Sequence, residues 1–230
     1  TPPKTWESEK IHAIGVVVSE VYGESFTAWL KKQQVPLITG VDTRALTKHL
    51  RSRGVMWGAI TNHQSQKNKA SQTMNQYEEK IPFVSIKKPI IYNAGRSKKI
   101  ILIDCGMKNN ILRSLVKFPL VIKRVPYDYD YLPENFDGII ISNGPGNPAD
   151  YITTINVAHK AMNLNKPMFG ICLGSQIMGL AAGAKTYKLK FGHRGQNQPV
   201  IDTKNKRCYI TSQNHGYAVD EHTLPKEWKI

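Results

Sequence analysis

The stretch PMFGICLGSQIMGLAA, residues 167–182, decides how the chain folds. Its first five residues form a short apolar run of strand length, and residues 175–182 carry a helical pattern. Between the two, Gly170 stands two residues before Cys172 and Gly174 two residues after it. A tight strand-to-helix turn needs small residues at those places, and it holds the central side chain up at the C-terminal edge of a sheet. Working outward, residues 100–104, 120–125 and 138–142 read as further strands, while 108–117 and 151–163 read as helices. Short, wholly apolar strands alternating with helices predict an α/β fold, a mostly parallel sheet flanked by helices on both faces. After residue 186 the pattern turns β-rich, with strands expected at 187–190, 200–202 and 208–211.

A cysteine raised on such a turn is a candidate nucleophile. The helix N-terminus beneath it favours negative charge and so the thiolate, and the N–H of Leu173 is free to donate to an oxyanion. A structural cysteine packed among glycine-mediated helix–strand contacts fits the same spacing. A second loop bears on the choice. SNGPGNP, residues 142–148, closes the preceding strand with Gly144 and Gly146, at the edge where open α/β sheets bind ligands. It reads equally as a turn-rich βα connection, but a glycine-rich backbone there can approach a substrate and offer N–H groups.

The N-terminal part has a different organisation. Strands are expected at 12–19, 35–38 and 55–60, with helices at 25–34 and 43–53. For the second helix Asp42 is the N-cap and Gly54 the stop. Residues 61–97 are polar and linker-like, which puts a boundary near residue 96. The expected organisation is a smaller, partial α/β domain with its linker over 1–96 and the main domain over 97–230.

Composition narrows the function classes. The net charge is +15, but 14 Lys/Arg stand against 7 Asp/Glu up to residue 97 and 18 against 10 beyond it. The excess is spread evenly, with no basic block and no aromatic platform, so nucleic acid is not an expected partner, and a solvated basic surface or a docking face for a larger acidic partner is the expected reading. No apolar run reaches the length of a membrane span. Three scattered cysteines fit neither a disulfide framework nor a metal site, which implies a reducing compartment and no metal.

FGICLGSQ (169–176) and SNGPGNP (142–148), followed by GAKTYK (183–188), RGQNQPV (194–200) and TSQNHGYAVD (211–220), resemble the class I glutamine amidotransferase domain of carbamoyl-phosphate synthetases. IDCGMKNNILRSL (103–115) and GVDTRALTKHLRSRG (40–54) are similar to the same family's small subunit or its fused equivalent. The resemblance implies a glutaminase that delivers ammonia to a synthetase large subunit or fused domain. Cys172 would be the catalytic nucleophile. Leu173, Gly144 and Gly146 would supply oxyanion donors, and Gln176, Asn214, Gly216 and Tyr217 would position glutamine. No cofactor is implied in this chain; ATP and magnesium belong to the synthetase partner. Pyrimidine and arginine biosynthesis are both compatible, as are the cytoplasm and, alternatively, the mitochondrial matrix.

The sequence also departs from that family. Its general base is a histidine in a His-Pro-Glu motif well beyond the elbow, and none of the seven histidines here stands in one. His215 is expected to help position substrate and His193 to be structural. Part of the family's leading domain is absent from the sequence as well, and Ser175 replaces a larger polar residue. Very weak turnover by the 230-residue chain alone is therefore expected. The alternative is a catalytically inactive amidotransferase-like module kept for binding or assembly. A third reading, a cysteine variant of an ester hydrolase, would draw on Asp220 and His222 and leaves the GPG and QNHGY segments without a role.

Overall fold

The computed structural model describes residues 6–54, 56, 58 and 84–229. The chain forms two compact units, Thr1–Glu78 and Glu79–Ile230.

In the first unit, β1 (Val16–Val17) pairs in parallel with β2 (Leu37–Ile38), and α1 (Glu24–Lys32) connects them. The strand expected over 12–19 shrinks to two residues. Leu30 is the buried anchor of α1, and Trp29 packs against Trp6 and Phe26 at ring separations of 5.2 and 6.3 Å. Helix α2 spans Thr43–Arg53 as its signals predict. The Asp42 carboxylate accepts the N–H of Ala45 at 2.8 Å, and Gly54 ends the helix at φ 91°. The strand expected over 55–60 lies almost wholly outside the described residues.

The second unit is built on a five-stranded sheet in the order β3-β5-β4-β6-β7. These strands are β3 (Ile90–Tyr92), β4 (Lys98–Asp104), β5 (Leu120–Pro126), β6 (Gly138–Ile141) and β7 (Met168–Gly170). All neighbours are parallel except β3, which runs antiparallel along β5. The linker-like segment therefore supplies an edge strand, and the division between units falls at 78/79, ahead of the boundary expected near 96. Isolated polar residues around a three-residue apolar run hide such a strand, because its outer side needs no apolar pattern.

Alternation along β4 shows why this sheet carries helices on both faces. Ile101 and Ile103 point into one core with Val125, Ile139, Ile141, Val157, Ala158, Leu173 and Ile177. Leu102 points the other way, joining Ile122, Met107 and half-buried Ile111, Leu112 and Leu115. The first face is covered by α4 (Ile152–Met162) and α5 (Leu173–Ala181), the second by α3 (Asn109–Leu115). At the end of β4, Asp104 is fully buried yet saturated. Arg124 donates to its Oδ2 through Nε and Nη2 at 3.0 and 2.6 Å, and the N–H groups of Gly106 and Met107 donate to Oδ1. That carboxylate turns the chain from β4 toward α3.

The three short strands expected after residue 186 are one long antiparallel hairpin. Its strands are β8 (Thr186–Ile201) and β9 (Cys208–Val219), with irregular register between Lys188 and His193 and between Gly195 and Gln198. Gly192, Gly195 and Pro199 break the sequence alternation, but antiparallel pairing tolerates them as bulges.

Candidate active site

Helix α5 begins at Leu173, directly after Cys172, two residues earlier than its pattern suggests. Glycine and serine are weak helix formers, but close packing requires them here. A Cβ on Gly174 would stand 2.1 Å from the Ile141 carbonyl oxygen, and one on Gly170 would stand 2.5 Å from the backbone of Gly174 and Ser175. Cys172 itself takes φ 53° and ψ −105°, a conformation that side chains rarely adopt. Strand β7, α5 and β6 thus hold the turn from three sides and leave the cysteine exposed. The Ser175 hydroxyl donates to the Cys172 carbonyl at 2.7 Å and the Gly174 N–H donates to that of Ile171, which closes the turn.

The loop after β6 lies against this turn. A Cβ on Gly144 would meet Leu173 Cδ2 at 2.7 Å and the Cys105 carbonyl oxygen at 2.2 Å, so only glycine fits between them. Buried side chains clamp the loop. Ser142 Oγ accepts the Cys105 N–H at 3.0 Å and donates to the Asn143 carbonyl at 2.8 Å. Asn143 Oδ1 accepts the Lys108 N–H. The Tyr151 hydroxyl lies 3.0 Å from the Pro145 carbonyl and 3.2 Å from that of Cys105. Among the described residues, the N–H groups of Leu173, Gly144 and Gly146 donate to no other protein group.

Strand β9 closes the third side. The Asn214 carbonyl lies 4.0 Å from Cys172 Sγ. Gln176, buried one turn along α5, donates through Nε2 to the Tyr217 carbonyl at 2.6 Å. His215 Nδ1 meets the same oxygen at 2.8 Å, and its Nε2 lies 3.0 Å from His193 Nδ1. The structure therefore gathers Cys172, Leu173, Gly144, Gln176, Asn214 and Tyr217 around one turn. Gly216 lies on the same strand segment, and Gly146 on the loop at φ 82°. An exposed thiol flanked by unused N–H donors is suited to attack on a carbonyl.

Other cysteines and the hydrolase pair are placed differently. Cys105 is fully buried, and burial, then the charge of Asp104, pushes its thiol far up. Cys208 sits on the hairpin opposite Ile201. The Asp220 carboxylate accepts the His222 N–H as cap of the short 3-10 turn Glu221–Thr223, and the His222 ring is 86% exposed beside Glu221. That pair is a turn cap, with no triad geometry. Tyr151, Ser142 and Arg194 belong to the site without standing out in the sequence. Tyr151 reads as a helix start and Ser142 as a strand end, and only RGQNQPV as a block marks Arg194. Arg194 Nη1 lies 3.4 Å from Asn214 Oδ1.

Comparison with known proteins gives two family matches. The family described as glutamine amidotransferase class-I matches residues 101–230, and the carbamoyl-phosphate synthase small chain, CPSase domain, matches residues 1–60. The Squalus acanthias multifunctional protein CAD is 42% identical over 99% of this chain and 11% of its own length. The Saccharomyces cerevisiae carbamoyl phosphate synthase arginine-specific small chain is 43% identical over 98% of this chain and 59% of its own. Human mitochondrial carbamoyl-phosphate synthase [ammonia] is 43% identical over 90% of this chain and 14% of its own. The chain thus spans little more than half of a small-chain relative and a small fraction of the multifunctional ones.

Proposed function

Because the chain belongs to the class-I glutamine amidotransferase family, with a carbamoyl-phosphate synthase small-chain segment ahead of it, we propose that it is the glutamine-hydrolysing component of a carbamoyl-phosphate synthase. The observation that carries this reading is the exposed Cys172 on its strained turn, with the free N–H of Leu173 beside it and the Asn214 carbonyl across from it.

In the proposed reaction, Sγ of Cys172 bonds to the side-chain amide carbon of glutamine and its proton ends on the departing nitrogen. The tetrahedral oxyanion is met by the Leu173 N–H and by the Gly144 and Gly146 backbone, held by the Tyr151 clamp. The C–N bond breaks, ammonia leaves, and a γ-glutamyl thioester remains. Water then cleaves the thioester to glutamate and restores the thiol. Asn214, Gly216 and Tyr217 line the amide side, and Gln176 fixes the strand that bears them.

Ammonia passes to a synthetase subunit or fused domain, where ATP and magnesium chemistry resides. The even spread of basic residues suits an acidic docking partner. All three cysteines are free, which supports a reducing compartment, and cytoplasm is the reading we adopt. No helix among the described residues is long and apolar enough to cross a membrane.

Labelling of the chain with a γ-electrophilic glutamine analogue, read by mass spectrometry, tests the site. Modification is expected at Cys172, slowed by glutamine and abolished in Cys172→Ala. Equal reaction of Cys208, or no protection by glutamine, would refute the proposal.

A further inference from the structure

A backbone N–H serves a developing oxyanion only if the loop that carries it is held in place, and a displacement of about 1 Å can cost about a hundredfold in rate. The loop that carries Gly144 and Gly146 rests on the chain leaving β4. Gly144 is wedged against the Cys105 carbonyl, and Pro145 lies against Gly106, where an added Cβ would meet Pro145 Cδ at 2.9 Å. The same Cβ would meet Val84 Cγ2 at 2.7 Å, so Val84 and Pro145 converge on one bare Cα, held at φ 106°. Val84 belongs to a short segment ahead of β3 that hydrogen bonds tie down. The Ser85 hydroxyl donates to the Asp104 carbonyl at 2.5 Å, and its oxygen accepts the Tyr127 N–H at 3.3 Å. One side chain thus joins the ends of β4 and β5. The Ile86 N–H adds a bond to Asp104 Oδ2 at 3.2 Å. Arg124 and the N–H groups of Gly106 and Met107 already hold the Asp104 carboxylate, so what Ser85 contributes is position rather than charge.

We propose that Ser85 is a positioning residue for the Cys172 reaction: through Asp104–Gly106 it seats Val84 beneath Pro145 and so fixes the oxyanion donors of Gly144 and Gly146. The proposal rests on the glutaminase reading given above. Ser85 touches neither the thiol nor the substrate, and its effect reaches them only through the placement of the loop. Loss of its hydroxyl should therefore slow a reaction that passes through a tetrahedral oxyanion and spare one that does not.

The test compares two reagents at Cys172 in the 230-residue chain, with the modified site read by mass spectrometry. p-Nitrophenyl acetate acylates the thiol through a tetrahedral oxyanion and expels a leaving group that needs no proton. Iodoacetamide alkylates it by displacement at carbon, with no oxyanion. In Ser85→Ala the acylation rate is expected to fall about 10- to 100-fold while alkylation proceeds as before. Ser85→Thr, which keeps the hydroxyl, should recover most of the loss. Val84→Ala, which keeps all three hydrogen bonds but withdraws the contact on Gly106, should show a smaller selective loss. The buried Cys105 thiol reports whether each variant is folded, and if Ser85→Ala exposes it, Val84→Ala carries the test. Equal losses with both reagents in a folded variant would mean a general structural role, and no loss with either would mean no role; both overturn the proposal. Failure of the wild-type chain to prefer the diazoketone analogue of glutamine at Cys172 over Cys208 would instead strike the glutaminase reading itself.

Discussion

Replacing Gly174 by alanine sets two effects of opposite sign against each other. Position 174 lies in the first turn of α5, where alanine in place of glycine favours the helix by about 1 kcal/mol. The added methyl, however, would sit 2.1 Å from the Ile141 carbonyl oxygen and 2.7 Å from its carbon. Those atoms belong to β6, paired on both sides within the sheet, and cannot rotate aside, so α5 must move outward. Overpacking of this kind costs about 1–3 kcal/mol where side chains can adjust, and against fixed backbone the upper end applies. A net loss of about 2 kcal/mol follows, equivalent to a urea midpoint roughly 1 M lower for a domain of this size. Gly179 on the same helix is the internal comparison. The nearest atoms its methyl would meet are those of the Val219 side chain, at 3.2 Å and beyond, so Gly179→Ala should stay within about 1 kcal/mol of wild type. The buried Cys105 thiol gives a readout confined to the second unit, because it reacts only when that unit opens. Urea titration with thiol trapping at Cys105 is therefore the assay. Should Gly174→Ala match Gly179→Ala in midpoint and in Cys172 labelling rate, the packing argument for the elbow fails.

Three further outcomes are expected. Tyr151→Phe removes the hydroxyl that reaches the Pro145 and Cys105 carbonyls, so stability should fall by about 1–3 kcal/mol and diazoketone labelling should slow; unchanged values in both would refute the clamp. Tyr131 is 1% exposed and its hydroxyl has no hydrogen-bond partner among the described residues, so Tyr131→Phe should be neutral or stabilising by about 1 kcal/mol in the same titration, and a clear loss would contradict that. Burial alone disfavours the Glu134 carboxylate, but hydrogen bonds from Lys123, Lys99 and Tyr129 outweigh it and lower its carboxyl from 4.5 to about 2. A group lowered on folding stabilises above its unfolded value and loses that contribution in acid. After solvent screening, about 1–2 kcal/mol should therefore vanish as pH falls from 4.5 toward 2, and Glu134→Gln should flatten this part of the stability profile.

The central strands β4 and β6 are legible in the sequence because they are buried on both faces and read as apolar runs at Ile100–Ile103 and Ile139–Ile141. Helix α2 is legible to the residue, since its cap and its stop are both written locally as Asp42 and Gly54. The elbow is legible for a steric reason: glycine at 170 and 174 marks places where a Cβ collides with backbone. What escapes is long-range. Strand β3 pairs with residues some thirty positions away and carries only a three-residue signal. The hairpin reads as fragments because its bulges shift the alternation. Asp104 reads as a strand terminus, and only the fold brings Arg124 to it. The Tyr151 clamp and the Arg194–Asn214 contact likewise depend on register and loop path, which no local pattern encodes.

The Tyr217 carbonyl oxygen, flanked by Gln176 Nε2 and His215 Nδ1, has both lone pairs occupied by protein donors. A substrate ammonium arriving at β9 must then take its acceptor from a peptide group other than that of Tyr217. The strand is thereby polarised: one carbonyl is reserved for holding helix and hairpin together, and the one at Asn214 faces the thiol. A ligand designed for this site gains nothing from a donor aimed at the carbonyl of residue 217, whereas one aimed at residue 214 meets the carbonyl that faces the nucleophile.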